Sequence, residues 1–147
     1  MTAQEREYPG RPMIGVGGVV VQDGRALLVR RGSEPLRGQW SIPGGLLEVG
    51  ETLENGVRRE LLEETGLQVR VLELIGVYER IIPAEHSRPG PRFHFVILDY
   101  LCRAEGGTPA PGSDAAELAF VSEEELPRYI LSDEVARVVR KALNSKR

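Results

Sequence analysis

Apolar residues recur along this chain with two spacings, and the change from one to the other marks its elements. Met13–Gln22 and Arg25–Arg31 are rich in β-branched and aliphatic residues and are joined by Asp23-Gly24, a dipeptide suited to a two-residue hairpin turn. From Thr52 to Gly66 the spacing lengthens: Leu53, Val57 and Leu61 recur every four residues, as one face of a helix requires. Thr52 can cap that helix by accepting from an amide two or three residues on, and Gly66 suits the left-handed residue that ends it. Residues 68–82 return to a β-rich run in which Gly76 predicts a bend or bulge. Residues 92–103 form another strand; Val96-Ile97-Leu98 is apolar on both faces, which places it inside a sheet. A short strand at 117–121 follows, then a short helix capped by Ser122. The last element is an amphipathic helix over Asp133–Leu143 with Val135, Val138, Val139, Ala142 and Leu143 on its stripe.

Strands first, a helix between, more strands and a terminal helix predict an α/β fold, a mixed sheet flanked by helices on both faces. Stretches rich in Pro and Gly interrupt it at 1–12, 83–91 and 106–114. The first reads as an N-terminal tail and residues 13–147 as one domain. A chain of 147 residues can bury about two thirds of its unfolded surface in one core.

Charge and cysteine usage narrow the partners. The formal net charge is −3 with no basic run, so no nucleic-acid partner is expected. No apolar stretch approaches a membrane span, so no membrane partner is expected either. The N-terminus lacks the apolar core of a signal peptide, which makes a reducing cytoplasm the expected compartment. Cys102 is the sole cysteine and lies in an apolar run, where a thiol acts as a small hydrophobe. His86 and His94, one in a loop and one in a strand, do not make a metal pair.

The polar face of the 52–66 helix carries the candidate chemistry. Glu60, Glu63 and Glu64 stand at i, i+3 and i+4, so their side chains converge on one stripe. Like charges one turn apart cost about 0.2–0.5 kcal/mol per pair on a wet face. They also oppose the dipole near a helix C-terminus. A solvated acidic face tolerates that cost. A hard divalent cation reverses its sign, because Mg²⁺ takes oxygen ligands in octahedral geometry.

The frame around the glutamates separates those two readings. Gly45, five residues, Glu51, seven residues, then Arg59-Glu60-Leu61-any-Glu63-Glu64-any-Gly66-Leu67 matches the Nudix box at every defined position. The chain thus resembles the Nudix hydrolase family, the MutT-like pyrophosphohydrolases. The resemblance implies the family's α/β/α sandwich and its reaction, metal-dependent hydrolysis of the pyrophosphate bond in a nucleoside diphosphate linked to another group. It implies Glu60, Glu63 and Glu64 as metal ligands, with the Gly44 carbonyl as a backbone ligand and Glu51 assisting through water. Mg²⁺ is the expected ion and Mn²⁺ the alternative. Arg59, one position off the stripe, reads as an orienting partner for the carboxylates. The general base stays open among Glu60, Asp114 and Glu117. Glu117, starting a strand straight after a loop, is also a candidate metal-associated carboxylate, while Asp114 equally suits an Asx turn.

Substrate contacts are sought among the arginines. Arg30 and Arg37, at and beyond the end of the second strand, and Arg80 beside the 83–91 loop are candidates for phosphate or ribose. Each also reads as a solvated surface arginine. Trp40 is expected to pack behind the Pro43-Gly44-Gly45 turn. Pro83, sixteen residues past Leu67, is similar to a feature of ADP-ribose pyrophosphatases in the family. That makes ADP-ribose, cleaved to AMP and ribose 5-phosphate, the leading substrate. Nucleoside triphosphates, including oxidised ones, are the alternative substrates. A nucleotide-sensing module that binds without turnover is the alternative class, and the intact set of box glutamates argues against it. The expected partner is a small nucleotide, and a homodimer using residues 68–82 as an edge is compatible with the sequence.

Overall fold

The computed structural model describes residues 6–112 and 115–145, so Asp114 lies outside the described residues. Its strands are β1 (Met13–Gln22), β2 (Arg25–Arg31), β3 (Trp40–Ser41), β4 (Gly44–Leu46), β5 (Leu67–Ile82), β6 (Phe93–Gly107) and β7 (Ala115–Val121). Helix α1 spans Leu53–Thr65, a 3₁₀ helix spans Glu123–Arg128, and α2 spans Asp133–Leu143. β1 is the hub. It pairs in parallel with β6 along one edge, and antiparallel with β4 and then β2 along the other. β5 pairs with β6 while β3 and β7 pair with β2, so parallel and antiparallel pairings share a mixed sheet. β6 is interior, as its apolar middle predicts, and β5 is an outer strand.

Alternation along the strands sorts the core into two layers. Val16 and Val20 join Val57 and Leu61 of α1, together with Leu27 and Tyr100. Val19 joins Val135, Val138 and Val139 of α2, together with Leu28 and Leu101. The sheet is therefore covered by a helix on each face. None of the described helices is long and apolar enough to cross a membrane.

Local signals set the ends of α1. Thr52 Oγ1 accepts from the Asn55 amide at 3.2 Å, and Gly66 closes the helix in the left-handed region at φ 76°. At the start of the 3₁₀ helix the Ser122 amide and hydroxyl both donate to Glu125 Oε1, at 3.1 and 2.9 Å. Gly76 falls at one of the register shifts between β5 and β6. Three features differ from the sequence reading. β7 begins at Ala115, paired with Arg31, so Glu117 stands inside the strand and not at its start. β6 runs on to Gly107, into a stretch read as loop, because Leu67 and Gln68 of β5 pair with Gly107 and Gly106. β3 and β4 have 2 and 3 residues, too few to show a period, and are ordered by pairing with β2 and β1.

Helix α1 lies close to the sheet. A Cβ on Gly18 would stand 2.7 Å from Cys102 Sγ and 3.0 Å from Leu61 Cδ2. One on Gly56 would stand 2.8 Å from Leu47 Cδ1. Gly56 costs about 1 kcal/mol of helix propensity relative to Ala, and it permits this approach. The segment before β1 also makes contacts: the Tyr8 amide donates to the Arg92 carbonyl at 2.7 Å, and Glu7 pairs with Arg92 at 3.1 Å.

Candidate active site

Arg59 ties the acidic residues together. Its Nε donates to Glu51 Oε2 at 2.6 Å and its Nη2 to Glu51 Oε1 at 2.9 Å, a two-pronged guanidinium–carboxylate pair. Nη1 donates to Glu60 Oε1 at 2.7 Å and reaches Glu63 Oε2 at 3.4 Å. Nη2 also donates to the Leu46 carbonyl at 3.0 Å, which fastens α1 to β4. The hydrogen bond from Arg59 holds the Glu51 carboxyl down at about 2, against the upward push of burial. Glu60 goes the other way: burial raises its pKa by more than Arg59 lowers it.

The turn at Gly44-Gly45 meets this cluster from the sheet. Glu64 Oε2 accepts from the Gly44 amide at 2.6 Å. The Glu60 carboxylate lies over Gly45 in the space that a Cβ would occupy, so any side chain at position 45 would displace it. The same two glycines line a cleft of about 100 Å³ with Gly17, Tyr78, Arg80 and Asp99. The Gly44-Gly45 backbone is thus a seam between the acidic stripe and the cleft. Trp40 packs edge-on against Tyr129, at the end of the 3₁₀ helix, with ring centres 5.0 Å apart.

The arginines divide by their partners. Arg80 lines the cleft, as does Arg31. Arg30 is engaged instead by Glu117, to whose Oε1 its Nε donates at 3.2 Å. Glu117 sits opposite Arg30 in the β2–β7 register and is 57% exposed. Neither residue lines the cleft, nor do Arg37 and Pro83, both exposed outside the strands.

Among the cleft residues that the sequence reading did not single out are Arg6 and Asp99. Arg6, from the segment read as a tail, lines the cleft with its Nε buried and without a hydrogen-bond partner. Its charge also acts on Glu60. Asp99 lies on β6, 1% exposed, and its Oδ2 is likewise buried without a partner. Burial pushes the Asp99 carboxyl up to about 6, with the Tyr78 hydroxyl and the Arg80 charge opposing that rise. A lone acid inside VILDYLC was a visible signal for Asp99. Nothing in the sequence around Arg6 singles it out.

The donor set on α1 suits a hard divalent cation, since every candidate ligand is an oxygen. In the arrangement seen, Arg59 and the Gly44 amide engage the carboxylates, and among the described residues no three acidic, His or Cys groups converge at metal-binding distance. Bringing Glu60, Glu63 and Glu64 together is a change of side-chain rotamer on one helix stripe. Gly45 leaves Glu60 the room for it. The residues fit such an ion.

A family model described as the NUDIX domain matches residues 11–142. The chain is 36% identical over 125 residues to the ADP-ribose pyrophosphatase of Methanocaldococcus jannaschii, an alignment covering 84% of this chain and 69% of that protein. It is 37% identical over 124 residues to a MutT-like protein of Streptomyces ambofaciens, covering 84% of this chain and 72% of that protein. Among solved structures, a MutT NUDIX hydrolase from Burkholderia pseudomallei matches with a TM-score of 0.70 at 27% identity, over 93% of this chain and 99% of that one.

Proposed function

We propose, given that the chain belongs to the Nudix hydrolase family, that it hydrolyses the pyrophosphate bond of ADP-ribose in a Mg²⁺-dependent reaction. Members of that family are pyrophosphohydrolases and generally use divalent metal ions. The observation that carries the finer reading is the shared seam. Gly44-Gly45 contacts the carboxylates of Glu60 and Glu64 and also walls a cleft holding Arg6, Arg31 and Arg80.

Glu60, Glu63 and Glu64 would hold the ion, with the Gly44 carbonyl as a neutral fourth oxygen. Glu117 joins them only by leaving Arg30. When bound, such an ion neutralises phosphate charge and lowers the pKa of water. The chain's own residues do the positioning. Arg59 keeps Glu51 ionised and aims Glu60 toward Gly45. Arg80 presents a guanidinium group, which matches phosphate oxygens two at a time, beside Arg31, whose Nε donates to the Pro35 carbonyl at 2.7 Å. The Methanocaldococcus relative supports ADP-ribose. The MutT-like relative supports a second reading, hydrolysis of nucleoside triphosphates by the same residues.

The test is product release, with Mg²⁺ and with EDTA, from ADP-ribose, nucleotide sugars, dinucleoside polyphosphates, NADH and nucleoside triphosphates. AMP released from ADP-ribose well above the other products, and only with metal, is the expected result. Preferential turnover of triphosphates replaces the substrate and keeps the site. Tight nucleotide binding with no turnover of any compound would point to a sensor and sink the catalytic reading.

A further inference from the structure

We propose that Asp99 reads the nucleobase, accepting a hydrogen bond from an N–H donor on the base edge of a nucleotide whose phosphates lie at the Gly44-Gly45 seam. The phosphate end of this placement rests on the pyrophosphohydrolase reading; the base end rests on Asp99 and its surroundings. Asp99 is 1% exposed in the middle of β6, and its Oδ2 is buried with no hydrogen-bond partner. A buried acceptor left unpaired destabilises a fold, and native proteins keep few of them. This one lines a cleft. Tyr78 lines it too, with its hydroxyl against the carboxylate. Asp99 Oδ1 stands 2.5 Å from where a Cβ on Gly17 would be, so the glycine makes room for the acid.

Charge decides which end of a nucleotide Asp99 can face. Its pKa of about 6 leaves it ionised near neutral pH, when a carboxylate accepts hydrogen bonds and donates none. Two anions held close repel, so the phosphates are left to the arginines that share the cleft, Arg6, Arg31 and Arg80, and not to Asp99. It faces the uncharged end.

Spacing agrees with that assignment. Gly17 of β1 is in register with Asp99 on one side and Gly44 on the other. Two strand spacings put those backbones about 10 Å apart, a span that a ribose bridges. The cleft's volume of about 100 Å³ is small beside the ~300–1,000 Å³ of sites that enclose a drug-sized ligand. It takes one ring rather than a whole nucleotide. Tyr78, Phe95 and Ile97 give it apolar walls, which suit the face of a base better than a hydroxyl-covered sugar.

The test uses Asp99→Val, which removes the acceptor at similar volume. Calorimetric affinities are measured with Mg²⁺ for AMP, GMP, CMP, UMP and ribose 5-phosphate. The wild-type chain ranks the four bases, with the preferred one roughly tenfold tighter than the weakest. In Asp99→Val the ranking collapses and ribose 5-phosphate binds as before. No ranking in the wild type, a ranking that survives the substitution, or ribose 5-phosphate weakened in step with the nucleotides overturns the assignment. Should Asp99→Val fail to fold, wild-type protein carrying ¹³C at its aspartate carboxyls supplies the answer. The Asp99 resonance shifts with the preferred monophosphate and not with ribose 5-phosphate; a resonance that stays still overturns the assignment. Neither measurement needs turnover. A chain that ranks bases through Asp99 but cleaves nothing would end the hydrolase reading and leave this one standing.

Discussion

Arg59 grips Glu51 through both carboxylate oxygens, at 2.6 and 2.9 Å, and so fastens the turn before α1 to the helix itself. The pair has a definite signature in acid. Glu51 titrates near 2 in the folded chain against an ordinary 4.5, so its stabilisation is complete above about pH 4.5 and disappears as the pH falls toward 2. Arg59→Met should lower the unfolding free energy at pH 7 by about 1–3 kcal/mol and lose less further stability than the parent between those pH values. Urea denaturation at pH 7 and pH 3 measures both effects. Parallel acid losses in parent and variant would show that Arg59 does not hold Glu51.

Glu63→Gln and Glu64→Gln should keep the fold and lose turnover by orders of magnitude with Mg²⁺. The Gln side chain at 64 still offers an oxygen to the Gly44 amide, so melting temperature should barely move. Full activity in either variant would remove that residue from the proposed ligand set.

Gly45→Ala tests the seam separately, because its methyl group meets the Glu60 carboxylate. It should lower turnover about as far as Glu60→Gln does, and combining the two should add little. Additive losses measured on kcat would mean that the glycine serves something other than Glu60.

Cys102 should be inert. It is 1% exposed, and burial pushes its thiol up to about 12. Since the thiolate is the reactive form, a thiol reagent at pH 8 should label it only when the chain unfolds. Labelling that proceeds far faster than unfolding would disprove its enclosure between α1 and the sheet.

Much of the chain could be read from local rules, because local rules formed it. Thr52 and Gly66 bound α1 through bonds that span only a few residues, and Asp23-Gly24 sets a turn by itself, both residues taking positive φ. The acidic stripe follows from helix spacing alone. What stayed hidden depends on long-range packing. Whether Arg30 or Arg31 enters the cleft is settled by distant pairing: β7 brings Glu117 opposite Arg30, and the β2–β7 register shifts between Arg30 and Arg31. Arg6 reaches the cleft because Glu7 and Tyr8 fasten their segment to Arg92, some eighty residues away in sequence. Asp99 reads as an oddity in an apolar strand until Gly17 and Tyr78 give it a setting.

Glycines line the contact between α1 and the layer beneath it, Gly18 on the sheet and Gly56 on the helix. The consequence appears in any scan of random substitutions scored by activity. Position 18 should tolerate change as poorly as position 63, though Gly18 meets neither nucleotide nor ion, since one added methyl group would lift the helix and every carboxylate riding on it. Such a scan would draw the catalytic footprint too large. Melting temperature redraws it: overpacking at Gly18→Ala should cost about 1–3 kcal/mol of stability, while the glutamate variants should melt with the parent.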